Sequence, residues 1–257
     1  MAQSYFNILV KKLSKHKNKI LTIQQIKKII SQILGDNYKD SKTYKNIYYL
    51  KNRWYLISLK KDLFFVKSPS QQIEEEELLN RFYRKFLKQA GQNVASSNRY
   101  IGDLKALEIN MDNYQIPDKV VIINPFKKST EVVLLGKKAL FKKFETHNNI
   151  YPKIKRFTQR HNIGSQKFKV AQWELALLET LHSPDPAEYA YIQALVKKYL
   201  KRYWKKLQIN IFENIIKLGK HHASINRLYK IALSLNPQLA KEFRDIIKKY
   251  SFFLEVN

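Results

Sequence analysis

The sequence predicts an α+β protein with an N-terminal winged helix-turn-helix, followed by a mixed, mainly helical C-terminal domain. Three observations predict it. Two stretches of helical period, separated by a short turn, lead directly into two alternating apolar runs before residue 70. After "NVASSN" the pattern becomes mixed, with strand-like and helical runs side by side. From Ala187 the period is helical nearly to the end. "KSPSQQ", with Pro69 between two serines, has the composition of a linker and sets the expected domains at 1–70 and 71–257.

The elements follow in chain order. "LTIQQIKKIISQIL" places Leu21, Ile23, Ile26, Ile29, Ile30 and Ile33 at helical spacing, with Thr22 in position to cap. "GDNYKD" supplies the turn. Ser41 is the expected cap of a second helix that runs to about Arg53. On a helical wheel Tyr44, Ile47, Tyr48 and Leu50 fall on the inward side. Lys42, Lys45, Asn46, Tyr49, Asn52 and Arg53 fall on the outward side. "WYLISL" and "LFFVKS" then form two strands joined across "KKD". "IEEEELLNRFYRKFLKQAG" is a helix with its glutamates near the positive end of the dipole and Gly91 as its expected stop. "KVVIIN" and "EVVLL" are strands, "VAQWELALLETL" is a core helix, and Pro237 starts the last helix, which continues to about Phe252.

Charge narrows the partner. The 257 residues are 44% hydrophobic, enough for a packed core, yet carry a net charge of +27. Such an excess repels itself unless a polyanion balances it, and the plain alternative is a lysine-biased genome. Residues 1–70 alone hold 15 Lys and Arg against 3 Asp and Glu. With no cysteine there is no disulfide framework, thiolate nucleophile or Cys-based zinc site. The N-terminal charges follow the apolar residues, the wrong order for a signal peptide. No apolar run approaches the roughly 20 residues of a membrane helix. A soluble, cytoplasmic protein without membrane contact is expected.

Three segments together resemble the AbiEi family of antitoxins and transcriptional regulators from type IV toxin–antitoxin systems. The first is the N-terminal winged helix, where Asp62 stands in the wing turn that is usually glycine. The second is "YIGDLKALEINMDNYQIPDKVVIIN", similar to the family's Tyr-Ile, Ala-Leu and Gln-Ile-Pro segment, with Asn110-Met111 in place of His-Gly. The third is "VAQWELALLETL", similar to Ala-x-Pro-Glu-x-Ala-Leu-x-Asp, with Trp173 for Pro and Glu179 for Asp. The resemblance implies an autoregulating repressor that binds duplex operator DNA and counters a nucleotidyltransferase-like toxin. In that scheme the antitoxin need not contact the toxin directly. It implies no catalytic residue and no cofactor.

A winged helix sets its second helix in the major groove and its wing against backbone or minor groove. The DNA-binding candidates are therefore Lys42, Thr43, Lys45, Asn46, Tyr49 and Arg53 on the helix, with Lys60 and Lys61 on the wing. Lysines suit phosphates, Asn46 suits adenine and Arg53 suits guanine, while Thr43 and Tyr44 at the helix start are open to packing or to phosphate bonds. In the second domain "LVKKYLKRYWKKLQ" offers Lys201 and Arg202 as weak phosphate contacts, its aromatics being assigned to the core. Two alternatives stay open: an RNA- or single-strand-binding accessory protein, and a winged-helix adaptor for another protein. His221 and His222 are adjacent, so they diverge on a helix and make no metal site. Glu74 to Glu77 splay likewise, and no nucleophile–base spacing or phosphate-binding glycine loop is present, so no enzyme is expected.

Overall fold

A computed structural model describes residues 5–60, 62–94, 98–125, 129–134, 136–144, 150–163, 166–218 and 221–252. It is a mixed α+β protein with eleven α-helices and two sheets among the described residues. Packing divides it into a first unit, Met1–Tyr83 with Val133–Gly136, and a second, Arg84–Val132 with Lys137–Asn257. The division falls inside a helix, beyond the Pro69 segment where composition alone sets a boundary.

The first unit runs α1 (Tyr5–Ser14), β1 (Ile20–Thr22), α2 (Ile23–Leu34), α3 (Asp40–Asn52), β2 (Leu56–Lys60) and β3 (Leu63–Val66). β3 lies between β1 and β2, antiparallel to both. Thr22 ends β1 and caps α2 in one step. Its hydroxyl accepts from the Gln25 N–H at 3.2 Å, and the Gln25 side chain accepts from the Thr22 N–H at 2.8 Å. Leu9, Leu13, Ile26, Ile30, Ile47, Leu50, Leu56 and Phe64 close one core. Each such side chain contributes roughly 1.5–3 kcal/mol by leaving water.

Ser41 is not the cap of α3. The helix begins one residue earlier, at Asp40, and no side chain caps it. Asp40 instead pairs with Lys27 of α2 at 2.8 Å and accepts from the Tyr38 hydroxyl at 2.8 Å. These contacts fix the turn between the helices.

α4 (Glu75–Val94) passes through Gly91 without stopping there. The remaining elements are β4 (Tyr100–Gly102), α5 (Asp103–Asn110), β5 (Lys119–Asn124), β6 (Thr130–Leu134), β7 (Lys137–Lys143), α6 (Tyr151–Ile154), β8 (Thr158–Ile163), β9 (Gln166–Ala171), α7 (Trp173–Thr180), α8 (Tyr189–Tyr203), α9 (Ile209–Ile216), α10 (His222–Leu233) and α11 (Pro237–Lys249). The larger sheet has the order β6-β7-β5-β4-β9-β8. β5 pairs with β7 in parallel and with β4 antiparallel; β4 pairs with β9 in parallel. α5 packs on α7, and α10 packs on α7, α8 and α11.

Leu175, Leu177, Leu178 and Leu181 of the α7 segment are all fully buried, so α7 is a core helix on every side. α11 starts as Pro237 predicts, with Asn236 accepting from the N–H groups of Gln238 and Leu239. It ends at Lys249, short of Phe252. No helix among the described residues is long and apolar enough to cross a membrane.

Candidate nucleic-acid interface

The side chains of α3 separate into two sets. Thr43, Asn46, Ile47 and Leu50 are buried, at the i, i+3 and i+4 spacing of one helix face. Lys42, Tyr44, Lys45, Tyr48, Tyr49 and Lys51 are exposed, Tyr44 and Tyr48 by more than 60%. The wheel drawn from the sequence is therefore rotated, because it counts Tyr44 and Tyr48 as apolar core. Two of the eight candidates on helix and wing face inward as a result. The Thr43 hydroxyl shares a 2.9 Å hydrogen bond with the Tyr38 hydroxyl, and the Asn46 amide donates to the Lys42 carbonyl at 2.7 Å. Neither polar group points to a ligand. Asn46 cannot read adenine from this position.

Of the remaining candidates, Lys42 donates to the Asn37 carbonyl at 2.9 Å, and Lys45 sits 5.9 Å from the centre of the Tyr49 ring. The Arg53 guanidinium lies 4.3 Å from the centre of the Phe6 ring, folded back on α1. Lys61 and the side chain of Lys60 lie outside the described residues.

Trp54 joins this surface, although no sequence pattern singles it out. It is 65% exposed and left-handed, at φ 62°. The Tyr55 N–H donates to the Leu50 carbonyl at 2.9 Å and the Trp54 N–H to the Lys51 carbonyl at 3.0 Å. This pair is the Schellman closure of a helix, in which glycine normally takes the left-handed position. A bulky residue there costs about 1–2 kcal/mol. The indole is braced by Lys67, whose ammonium lies 5.5 Å from the ring centre and donates to the Gln71 carbonyl at 2.8 Å. From Ser41 to Trp54 there is no carboxylate.

α8 distributes a similar composition differently. Ile192, Val196, Tyr199 and Leu200 are buried, while Lys197, Lys198, Lys201 and Arg202 are exposed. Trp173 stacks on Tyr199 at 4.7 Å, and Tyr203 lies 5.3 Å from Tyr199. Arg202 and Lys206 sit over the Tyr203 ring, at 5.2 and 5.1 Å. Tyr199 and Tyr203 are packing groups, Tyr191 near the start of the helix is exposed, and the cations form a surface.

A polar pocket that no motif announces lies at the end of β4. The Tyr100 hydroxyl donates to Glu179 Oε1 at 2.6 Å, and the Asp103 N–H donates to Oε2 at 3.1 Å. A Cβ on Gly102 would come within 2.5 Å of that second oxygen, so glycine is required for the approach. Burial pushes Glu179 up to about 8 and raises Asp103 as well. Val121, Ile123, Lys142, Lys143, Phe144, His182 and His221 complete the lining. The two histidine rings meet edge to face, 5.3 Å apart. His222 diverges from His221 and stacks on Phe252. Among the described residues no group of three or more His, Cys, Asp or Glu could hold a metal ion. Both oxygens of Glu179 are occupied within the protein, which makes this carboxyl a tie between α7, β4 and α5.

No protein-family model matches the sequence, and no curated protein matches it. Among solved structures the chain is similar to the RV2827C protein from Mycobacterium tuberculosis. The two share 12% sequence identity and a TM-score of 0.55, over 100% of this chain and 84% of that one. A likeness at this identity concerns the fold.

Proposed function

We propose that the first unit is a winged helix that binds duplex DNA through α3, and that the chain is an antitoxin-type transcriptional repressor of its own operon. The observation that carries the DNA reading is the outward face of α3. It presents Lys42, Lys45 and Lys51 beside Tyr44, Tyr48 and Tyr49, with no carboxylate between Ser41 and Trp54. The element order supports the wing. α2 and α3 are joined by a short turn, and the β2–β3 hairpin follows directly. Asp62 in the hairpin turn is left-handed, at φ 63°, the conformation that suits the glycine of the resembling family. The repressor and toxin parts rest on the three-segment resemblance to AbiEi antitoxins. A nucleotidyltransferase-like gene beside this one is the expected genomic context.

The test is binding of the full chain to a labelled duplex from upstream of its own gene, against a scrambled duplex, at low and moderate salt. Preference for the upstream duplex that survives moderate salt is expected. Lys45→Ala with Tyr49→Ala should weaken it about tenfold, on the order of what one base or phosphate interaction supplies. Equal, steeply salt-sensitive binding to both duplexes would overturn sequence reading and leave only a cationic surface.

One observation favours a second reading. Tyr44, Tyr48, Tyr49 and Trp54 are half of the large apolar side chains found exposed among the described residues. Bases stack on such groups when unpaired, at about 1–3 kcal/mol each. Tighter binding to single strands than to the upstream duplex would select that reading.

A further inference from the structure

The second unit contains a cavity of about 350 Å³ whose polar lining is entirely cationic apart from one tyrosine. Lys88 of α4, Arg99, Arg160 of β8, and Lys167 and Lys169 of β9 line it, over an apolar floor that includes Leu87, Ile101 and Ile122. No Asp or Glu contributes to the lining. Arg99 is held in the wall by donating to the Lys88 carbonyl at 3.2 Å.

The arrangement is electrostatically unfavourable as it stands. Arg160 and Lys169 are direct cross-strand partners in the antiparallel β8–β9 pair, and like charges placed opposite each other destabilise such a pair. Lys155 crowds Lys169 from the preceding turn. Burial, Lys155 and Arg160 together pull the Lys169 ammonium below its usual range. Among the described residues no carboxylate is within ion-pair distance of Lys88, Arg160, Lys167 or Lys169. Elsewhere in the chain lysines do find carboxylates: Lys27 with Asp40, Lys105 with Glu108 and Lys137 with Asp118. A lysine-rich composition alone explains scattered surface cations. It does not explain five of them converging on one apolar-floored cavity.

We infer that this cavity binds a ligand carrying several phosphates close together, of nucleotide size, with the phosphates between Arg160, Lys167 and Lys169 and the less polar part on the Leu87–Ile101–Ile122 floor. The chemistry required is a compact polyanion attached to an apolar or aromatic body. A free nucleoside triphosphate supplies it, and so does a short single strand. A duplex fits worse, because its phosphates line the outside of a rod and leave the floor uncovered. The site is separate from α3 and does not depend on the DNA-binding proposal.

Titration calorimetry of the full chain with each common nucleoside triphosphate, inorganic tripolyphosphate and a single-stranded pentanucleotide tests it. At least one nucleoside triphosphate or the pentanucleotide should bind more tightly than tripolyphosphate, which lacks the body for the floor. Arg160→Ala with Lys169→Met should weaken that binding tenfold or more, whereas Lys241→Ala with Lys248→Ala, at exposed lysines of α11, should leave it unchanged. The double variant removes a like-charge pair, so its own melting temperature should stay level or rise while its ligand-induced shift disappears. The nucleotide and pentanucleotide arms identify the source of the phosphates. Absence of binding in both arms overturns the proposal. So does binding that the α11 substitutions weaken as much as those in the cavity, or that tripolyphosphate matches.

Discussion

α3 and α8 are both helices of lysine and tyrosine, and the fold exposes Tyr44, Tyr48 and Tyr49 of the first while it packs Tyr199 and Tyr203 of the second. In α3 the rings of Tyr44, Tyr48 and Tyr49 face solvent while Thr43 and Asn46 are turned inward. In α8 Tyr199 is fully buried against Trp173, and the cations are left outside. Composition therefore does not distinguish a helix that exposes its tyrosines from one that buries them. The distinction lies in which residues the neighbouring elements bury. α3 meets the aliphatic core of a small unit through Ile47 and Leu50, and short polar residues fill the rest of that face. α8 lies beside the aromatic ring of Trp173, which its tyrosines match in shape.

Truncating one tyrosine from each helix tests this contrast most directly. Tyr199→Ala should cost about 3–5 kcal/mol, the usual loss for a large buried aromatic. Tyr48→Ala should stay within about 0.5 kcal/mol, as surface changes do. Denaturant unfolding of the full chain reads both. Equal losses would mean that the α3 tyrosines are structural, and the interface proposal would lose its main support.

pH separates the two units next. The folded second unit keeps Glu179 protonated up to about 8, against 4.5 for the same group unfolded. Between those values the folded protein holds a proton that the unfolded chain has released. Its stability is therefore highest below about pH 4.5 and falls as pH rises toward 8, by at most about 1.4 kcal/mol per pH unit for this group. Asp103 is shifted in the same direction and adds to the slope. Glu179→Gln should flatten the profile, since an amide still accepts from Tyr100. A profile unchanged by this substitution would remove Glu179 from the account. The first unit's paired carboxylate behaves oppositely. Lys27 lowers Asp40, whose exposed pair favours the folded state above the carboxylate range and weakens in acid.

These regions also show what can be read from the chain. The 21–34 and 41–53 helices, the following hairpin, β5 and α11 are legible because each has an unbroken period and a local stop. β8 is not, because Ile163 is its one apolar residue, and in β9 the alternation Lys167-Phe168-Lys169-Val170 is short and runs into the helical pattern that starts at Val170. β1 is hidden inside the helical pattern that begins with Leu21. The wheel puts Asn46 on the outward side, Thr43 is a DNA candidate by its polarity, and polarity is not exposure. Their burial depends on Tyr38 and on the Lys42 carbonyl, partners that a wheel does not contain. The Glu179 tie and the cationic cavity join residues far apart in sequence, and no spacing rule reaches them.

Trp54 probes the α3 side with a smaller effect. Glycine suits its left-handed backbone, so Trp54→Gly should leave stability within about 1 kcal/mol or raise it. DNA or single-strand affinity should fall in the same protein. A variant that loses more stability than this would show that the indole braces Lys67 rather than a ligand. One that keeps full affinity would remove Trp54 from the interface.

α8 should respond least of all. Its Lys201 and Arg202 are exposed beyond a packed aromatic layer, and Arg202 already rests on Tyr203. Cations so placed suit phosphates and not base edges. Lys201→Glu with Arg202→Glu should therefore weaken the upstream and scrambled duplexes by the same few-fold factor. It should also make binding less dependent on salt, by about one unit of slope for each phosphate no longer neutralised. Unfolding should be unchanged, because Tyr199 and Val196 hold the helix and neither is touched. A loss confined to the upstream duplex would place α8 among the sequence-reading elements and erase the contrast with α3. No loss on either duplex would make its lysines a solvated face, and polyanion binding by the second unit would then reduce to the cavity on the β8–β9 side.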